Sequence, residues 1–346
     1  TVQAGGRLME FIRLPDGSYS PPPGITIELV KNADGTFSLV ERSGTRTTFN
    51  ADRRIGEIMD IDGNAMTFAY SINNNLASVR DARGRTLAFS YSGDTISSVS
   101  DSAGRSVSYA YDAGGNLTGF IDPEGKRWSY GYDEGHRMTH LANPLGIATA
   151  VNVYDGLGRV KTQTVPRQGG RTATYGFYFS VYRNQEEDPA GRLITYYFDE
   201  KGRGYADVDP LGNRSAKGFD GQDRIVSITD PRSYKTTYTY DNDHNLRTIT
   251  NPLNERINKY YDSYFRLTHV YDPLGYATRF FYDEKHHLTS VQGPLGDRTS
   301  STYYADGLVN TATDARGTTT AFAYDAYGNP RTAQTGGHPA VTSAYD

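Results

Sequence analysis

Cysteine is absent from this chain of 346 residues, and tryptophan occurs once, at Trp128. The lack of cysteine excludes disulfide bonds and thiolate metal sites, and it fits both reducing and oxidising compartments. Hydrophobic residues make up only 36 % of the chain, and its mean hydropathy is −0.63. No stretch approaches the roughly 20 consecutive apolar residues that a membrane-spanning helix needs. The sequence therefore predicts a chain without a membrane span.

Neither sign of charge is in large excess. The 36 basic and 40 acidic residues give a net charge of −4, and they are interleaved along the sequence. The basic runs that are typical of nucleic-acid-binding proteins are missing. We therefore expect no nucleic-acid partner.

Aromatic residues are plentiful, with 28 tyrosines and 14 phenylalanines, and many of them stand in a repeated pair. Tyr or Phe followed by Asp recurs about every 21 residues, a period within the range of repeat proteins. Because a catalytic residue is needed once and an architectural residue in every unit, we predict that the aromatic residues and aspartates of these pairs are structural. The pairs are Tyr111-Asp112, Tyr132-Asp133, Tyr154-Asp155, Phe198-Asp199, Phe219-Asp220, Tyr240-Asp241, Tyr261-Asp262, Tyr282-Asp283 and Tyr324-Asp325.

Residues 230–250 illustrate one unit. From Thr236 to Tyr240, small polar and aromatic residues alternate, which is the two-residue period of a half-buried strand. Leu246 and Ile249 follow in a shorter second strand. Each unit is therefore predicted to be a β-hairpin that a second tight turn joins to the next unit.

Two series of turns alternate. The Asp-Pro turns join units; they open with Asp or Asn, usually continue with Pro and often end on Gly, as in residues 209–212 (DPLG). The Tyr-Asp turns lie within units, and their left-handed position holds Gly158 or, in other units, residues such as His136, His244 and His286. Because His is enriched in left-handed backbone, we interpret these histidines as turn residues and not as metal ligands or bases.

Arg or Asn usually follows the left-handed position, as Arg159 follows Gly158. Repeated once per unit, these residues form a column beside the aspartates. An exposed ion pair contributes at most about 1 kcal/mol. We interpret the column as solvent-exposed charge at strand ends with a modest role in register.

Three segments are expected along the chain. Residues 1–43 depart from the repeat and are predicted to form a lead-in β-hairpin segment. Residues 44–335 are predicted to be one continuous array with a degenerate repeat near 161–190, and residues 336–346 to begin a further, incomplete repeat. We expect from this that the sequence is part of a longer polypeptide.

The predicted fold class is all-β, with tandem hairpins in one long antiparallel sheet. Sheets twist by roughly 20–25° per strand, and open sheets seldom exceed about ten strands without curling or splitting. We expect this sheet to coil into a spiral, a shell or a solenoid.

Two motifs carry a resemblance to a known family. Residues 154–160 (YDGLGRV) and 209–213 (DPLGN) recur in phase across residues 44–335. They resemble the RHS or YD repeats of bacterial polymorphic toxins, toxin-complex C subunits and teneurins. The resemblance implies a β-ribbon that spirals into a hollow shell around a C-terminal toxin or effector segment of the same polypeptide. It also implies a self-cleaving core region that closes the shell, but no position of this sequence matches that region.

Three classes of function compete. The first is a non-catalytic module in the wall of an encapsulating shell, with the rest of its own polypeptide and the toxin cargo as partners. The alternative is a cell-surface or carbohydrate-binding module whose tyrosines stack on sugar rings. An enzyme is disfavoured, because no nucleophile elbow, zinc-protease motif or phosphate-binding loop is present.

We accordingly predict no catalytic, cofactor-binding or metal-binding residue. Unpaired terminal strands would permit edge-to-edge self-association. The resemblance favours a secreted or cell-surface location as part of a larger bacterial protein.

Overall fold

The computed structural model describes residues 2–4, 7–22 and 25–345. These residues form β-strands joined by tight turns, with one short 3-10 turn at Gln168–Gly170. The all-β prediction is confirmed. Among the described residues, no helix has the length and apolar character that crossing a membrane requires.

The chain divides into two compact units, of which the first comprises residues 1–88, 242–245 and 257–346. Its first strands are β1 (Val2–Ala4), β2 (Arg7–Met9), β3 (Ile12–Arg13), β4 (Tyr19–Ser20), β5 (Glu28–Lys31), β6 (Phe37–Val40), β7 (Arg46–Phe49), β8 (Ile55–Met59), β9 (Ala65–Tyr70), β10 (Leu76–Arg80) and β11 (Thr86–Ser92). The last of these, β11, continues into the second unit.

The second unit comprises residues 89–241 and 246–256. Its strands are β12 (Thr95–Asp101), β13 (Ser106–Tyr111), β14 (Leu117–Ile121), β15 (Arg127–Tyr132), β16 (Met138–Ala142), β17 (Ala148–Tyr154), β18 (Val160–Pro166), β19 (Thr172–Phe179), β20 (Arg183–Glu187), β21 (Leu193–Phe198), β22 (Gly204–Val208), β23 (Arg214–Phe219), β24 (Ile225–Thr229), β25 (Lys235–Tyr240) and β26 (Leu246–Thr250).

The first unit resumes near residue 257 with the last strands of the chain. They are β27 (Arg256–Tyr261), β28 (Leu267–Tyr271), β29 (Ala277–Tyr282), β30 (Leu288–Gln292), β31 (Arg298–Tyr303), β32 (Val309–Thr313), β33 (Thr319–Tyr324), β34 (Pro330–Thr335) and β35 (Val341–Thr342).

The 31 strands from β5 to β35 belong to one antiparallel sheet in which neighbours in sequence are neighbours in space. The hairpin of β29 and β30 shows the register: Phe281 pairs with Ser290, but Tyr282 pairs with Leu288, so one residue of β30 is left over. This irregularity is a β-bulge, and bulges increase the local twist of a strand pair. Because the bulge recurs beside the aromatic residue of successive Tyr-Asp turns, the twist is built into the repeat.

The predicted turn chemistry is confirmed. In the Tyr-Asp turn at 283–287, the amide of Asp283 donates to the carbonyl of His287, and the amide of His286 donates to the carbonyl of Asp283. The left-handed position has φ of 77° at Gly158, 60° at His136, 68° at His244 and 68° at His286. These histidines therefore occupy the backbone position that glycine fills in sister turns.

Burial is shallow throughout the sheet. Among the described residues, the buried hydrophobic side chains are Met9, Phe11, Leu39, Ala142, Ala173 and Ala206. The accessible surface is 22395 Å², whereas a compact monomer of 38.2 kDa exposes about 14000 Å². In the described part of the array, most side chains are therefore covered only by their neighbours on the same face of the sheet.

The first strands are an exception. Met9, Phe11 and Leu39 form a buried cluster. Half-buried side chains that include Tyr19 and Phe49 pack against it. This part of the chain has a small hydrophobic core of the ordinary kind.

The degenerate repeat near 161–190 keeps its strands. The polar segment Arg183–Glu187 is β20, and it pairs with β19 on one side and β21 on the other. The sheet therefore continues through the region where the sequence motif is weakest.

Candidate functional site

The Tyr-Asp turn is closed by the side chain of its own aspartate. At Asp155, Oδ1 accepts hydrogen bonds from the amides of Leu157 at 2.9 Å and Arg159 at 3.0 Å. The second oxygen, Oδ2, accepts from Nε of Arg159 at 2.8 Å. One carboxylate thus satisfies two turn amides and fixes the arginine four residues later, which explains why the turn repeats these residue types together.

The same two amide bonds to Oδ1 recur at most of the predicted aspartates. They are present at Asp112, Asp133, Asp155, Asp199, Asp220, Asp262, Asp283 and Asp325. Asp241 lies at the same turn position between β25 and β26.

The aromatic residue of each pair is the last residue of a strand, and it contacts the preceding repeat. The hydroxyl of Tyr240 donates to the carbonyl of Ile225 at 2.7 Å, and that of Tyr282 donates to the carbonyl of Leu267 at 2.9 Å. Tyr154 and Tyr324 make the equivalent bond to Met138 and Val309. The remaining predicted aromatics, at the ends of β13, β15, β21, β23 and β27, are Tyr111, Tyr132, Phe198, Phe219 and Tyr261.

The arginine column stacks on these rings. The guanidinium carbon of Arg224 lies 4.5 Å from the ring centre of Tyr240, and that of Arg203 lies 4.6 Å from the ring centre of Phe219. Their side chains are 26 % and 24 % exposed, against 72 % for Arg105. The interpretation of the column as solvent-exposed charge is therefore wrong for these units, because each guanidinium lies between its own aspartate and the next aromatic ring.

The turn bonds also set the protonation of the carboxylates. At Asp133, the hydrogen bond from the Arg137 side chain, followed by the amide of Arg137, lowers the pKa below its ordinary value. At Asp155 the amide of Arg159 is the largest cause of the same lowering of the pKa. These aspartates are held ionised as acceptors, which suits a structural anchor more than a general acid.

The aspartates whose bonds are described act in separate turns. Each aspartate bonds within its own turn, and no group of three or more His, Asp or Glu side chains in the described part of the chain is arranged to hold a metal ion. The same set of bonds is repeated at the strand ends, turn after turn.

A second feature appears where two rows of turns of the first unit meet. We call this contact the seam. Asp-Pro-series turns at 41–44, 60–63 and 81–84 lie against Tyr-Asp-series turns at 262–265, 283–287 and 304–307. The contacting residues are 221 to 242 positions apart in sequence.

The centre of the seam is a cluster of charged side chains. Oδ2 of Asp62 lies 2.8 Å from Nε2 of His287, and Oδ2 of Asp283 lies 2.9 Å from Nδ1 of the same ring. Nζ of Lys285 lies 3.0 Å from Oδ1 of Asp62. The side chains of Asp62 and His287 are 9 % and 13 % exposed, so this is the most enclosed charged group of the seam.

Further contacts flank this cluster. Nη2 of Arg83 donates to Oδ2 of Asp306 at 2.7 Å, and Nδ2 of Asn64 donates to the carbonyl of Asp306 at 3.0 Å. At the other end, the guanidinium of Arg42 lies 4.0 Å from the ring centre of Phe265. At two of the three pairs of turns the third residues carry opposite charges, with Asp62 opposite Lys285 and Arg83 opposite Asp306.

Sequence reasoning did not identify Asp62, His287 or Arg83. The signal available was that His287 stands where sister turns carry Arg or Asn. The pairing across more than 200 positions has no local signature, because it depends on twist accumulated over many strands.

Comparison with known proteins decides the family of the repeat. A model of the RHS repeat matches residues 115–148, 219–256 and 261–298. These segments contain the turns described above. The chain carries RHS repeats. None of the curated proteins matches it in sequence.

Solved structures share the fold of this RHS-repeat chain. It is similar to a chain of the complex TcdB2-TccC3-Cdc42, with a TM-score of 0.60 and 12 % identity over 94 % of this chain and 21 % of that chain. It is also similar to a chain of TcdB2-TccC3, with a TM-score of 0.57 and 11 % identity over 95 % of this chain and 21 % of that chain. The chain thus spans about a fifth of the length of these relatives.

Proposed function

We propose that this chain is a non-catalytic segment of the wall of a shell that encloses a C-terminal toxin or effector segment of a larger polypeptide. The observation that carries the proposal is the sheet itself. It is one layer thick, its side chains are half-exposed, and rows of turns join edge to edge at the seam. Such a sheet is suited to forming a wall, because it has almost no interior of its own.

The fold similarity supports this role. The matched chains of the TcdB2-TccC3 complexes are about five times longer than this chain, which covers 21 % of them. A segment of repeats within a larger assembly is consistent with that ratio. The partners we propose are the remaining wall and the cargo of the same polypeptide.

Two exposed leucines indicate where a further row of turns would pack. The third residue of an Asp-Pro turn is the one that makes the seam contacts at Asp62 and Arg83. In the first unit, the same position holds Leu274 and Leu295, which are 82 % and 93 % exposed. We propose that Tyr-Asp turns of the same polypeptide cover these leucines as the turns at 283–287 cover Asp62.

Protection of the following segment tests the wall. In the complete gene product, the segment after the repeats is expected to resist trypsin, because the wall excludes the protease. A double variant, Leu274→Asp with Leu295→Asp, should make that segment susceptible by placing charge at the edge that the next row covers.

The matched control is Ile72→Asp, which changes a side chain that is 98 % exposed at the second position of a turn. This variant should keep the protection. If the segment is digested in the intact protein as fast as it is when expressed alone, the proposal is wrong. Saturable binding of the isolated chain to a glycan array would instead favour the carbohydrate-binding module.

A further inference from the structure

His287 stands at the turn position that holds arginine in sister units. In the preceding Tyr-Asp turn, Arg266 donates to its own Asp262 and stacks 4.8 Å from the ring centre of Tyr282. His287 reproduces both contacts, with Nδ1 at 2.9 Å from Asp283 and its ring stacked 4.5 Å from that of Tyr303. The histidine thus takes the place of a permanent cation.

Its second nitrogen faces another carboxylate. Nε2 of His287 lies 2.8 Å from Oδ2 of Asp62, on the other row of turns. A neutral imidazole carries one N–H and presents a lone pair at its other nitrogen, whereas the imidazolium ion donates from both. Only protonated His287 can therefore donate to Asp62 and Asp283 at the same time.

The surrounding charges agree with a protonated ring. Asp62 and Asp283 supply two negative charges, and Lys285 supplies one positive charge to Asp62. Asp306, on the neighbouring turn, is paired with Arg83, and Tyr303 presents its ring face to the imidazole. The cluster is therefore neutral when His287 is charged and carries an excess negative charge when it is not.

The cluster is also tightly enclosed. A Cβ atom added to Gly307, where φ is 82°, would lie 2.3 Å from Oδ2 of Asp62 and 3.4 Å from Nε2 of His287. The backbone of the turn at 304–307 thus covers the pair. In such a place an unpaired carboxylate is costly, because water replaces the lost hydrogen bond poorly.

We propose that the seam is a pH-sensitive junction in which protonated His287 ties the two rows of turns together and its deprotonation loosens them. In this turn the histidine bonds two aspartates, one of them on the other row of turns and 225 positions away. The junction is distinct from any role of the sheet in enclosing cargo, because it depends on contacts within the first unit alone.

The sign of the effect follows from the direction in which the histidine pKa moves. Burial opposes protonation of His287, but the hydrogen bonds to Asp62 and Asp283 outweigh it and raise its pKa above the ordinary 6.5. A group whose pKa rises on closure stabilises the closed seam fully below about pH 6.5, and this stabilisation is lost as the pH rises through the raised value. Closure of the seam is therefore more favourable for the protonated ring than for the neutral ring.

Spin labels across the seam test the junction. Because the chain lacks cysteine, the exposed residues Ala82 and Ala326 can be replaced by labelled cysteines. Their turns, at 81–84 and 325–328, adjoin, since a Cβ atom added to Gly328 would lie 2.7 Å from Nε of Arg83. Pulsed distance measurements should give a narrow distribution at about pH 5.5 and a broader, longer one at a pH above the raised pKa of His287.

Variants of His287 separate the junction from general effects of pH. His287→Arg should keep the distribution narrow at both pH values, and His287→Gln should keep it broad at both. His140→Gln, at an exposed position on β16, should behave as the unsubstituted protein. An unchanged distribution in the unsubstituted protein, or a pH response that survives His287→Arg, would overturn the proposal.

A direct titration remains decisive where His287→Gln fails to fold. The imidazole signal of His287 in the unsubstituted protein, followed by NMR, should titrate above pH 6.5. A midpoint at or below that value would mean that closure does not bind the proton, and the junction would be refuted.

Discussion

The first strands and the repeat array are stabilised in different ways. Around β6, Met9, Phe11 and Leu39 are buried together, as in an ordinary globular core. In the array, carboxylate-capped turns, tyrosine-to-carbonyl hydrogen bonds and stacked guanidinium groups connect each unit to the next. The difference shows that a sheet can be held by many small nearest-neighbour contacts, each repeated, where a core would need a second layer.

The largest effect is expected in the core. Leu39→Ala should lower the local stability around β6 by about 2–5 kcal/mol, because it leaves a cavity beside Met9 and Phe11. Leu211→Ala, at an Asp-Pro turn where the side chain is 86 % exposed, should change stability by about 0.5 kcal/mol or less. Hydrogen exchange of peptides covering the two sites measures both. Equal losses would remove the distinction between core and array.

A turn glycine should give an intermediate effect. At Gly158 φ is 77°, and the nearest atoms to an added Cβ are those of Arg137 at 3.7 Å. Gly158→Val should therefore cost about 1–3 kcal/mol through the backbone and not through a clash. Gly156→Val is the matched control, since it lies in the same turn with open space around it and without a positive φ. Thermal unfolding should separate the two variants, and identical midpoints would contradict the turn geometry.

A single carboxylate cap should give the smallest of the three effects. Asp262 accepts bonds from the amides of Tyr264 and Arg266 and from Nε of Arg266. Asp262→Ala should cost about 1 kcal/mol in chemical denaturation. Asp262→Asn should cost less, because the amide oxygen still accepts from the two backbone groups.

The pH dependence sharpens this last comparison. Burial opposes ionisation of Asp262, but the hydrogen bonds from the Arg266 side chain and from the amides of Arg266 and Tyr264 together outweigh it, so the pKa of the carboxyl group is lowered from 3.8. Its contribution is therefore present above about pH 3.8 and is lost as the pH falls through the lowered value. Acid titration of stability should show this loss in the unsubstituted protein and a smaller one in Asp262→Asn. An equal loss in both would assign the acid sensitivity to other carboxylates.

Features that depend on a single repeat were predictable from the sequence. The alternation from Thr236 to Tyr240 identified a strand, and the residue four after the aromatic identified the left-handed position, because both depend on a few neighbouring residues. The environment of Arg224 was not predictable. Its neighbour Tyr240 belongs to the next unit, and whether a guanidinium is exposed or stacked depends on how the strands twist together.

The contacts of the seam could not be predicted from the sequence. Nothing near Asp62 in sequence indicates that it faces His287, 225 positions away. The contact depends on the sum of many small rotations between strands, so an error of a few degrees in each would place Asp62 against a different turn. Periodicity predicts the structure of one repeat well, but it does not determine which distant repeats contact each other.

The sequence separation across the seam has a consequence for how such a chain can change in evolution. Asp62 meets His287 and Arg83 meets Asp306 at separations of 225 and 223 positions. Duplication or loss of one whole unit between them would preserve every hairpin, yet it would bring Asp62 opposite a turn with different side chains. Insertions that a solenoid ordinarily tolerates would therefore be selected against here, and the seam fixes the number of repeats in the chain between its two rows.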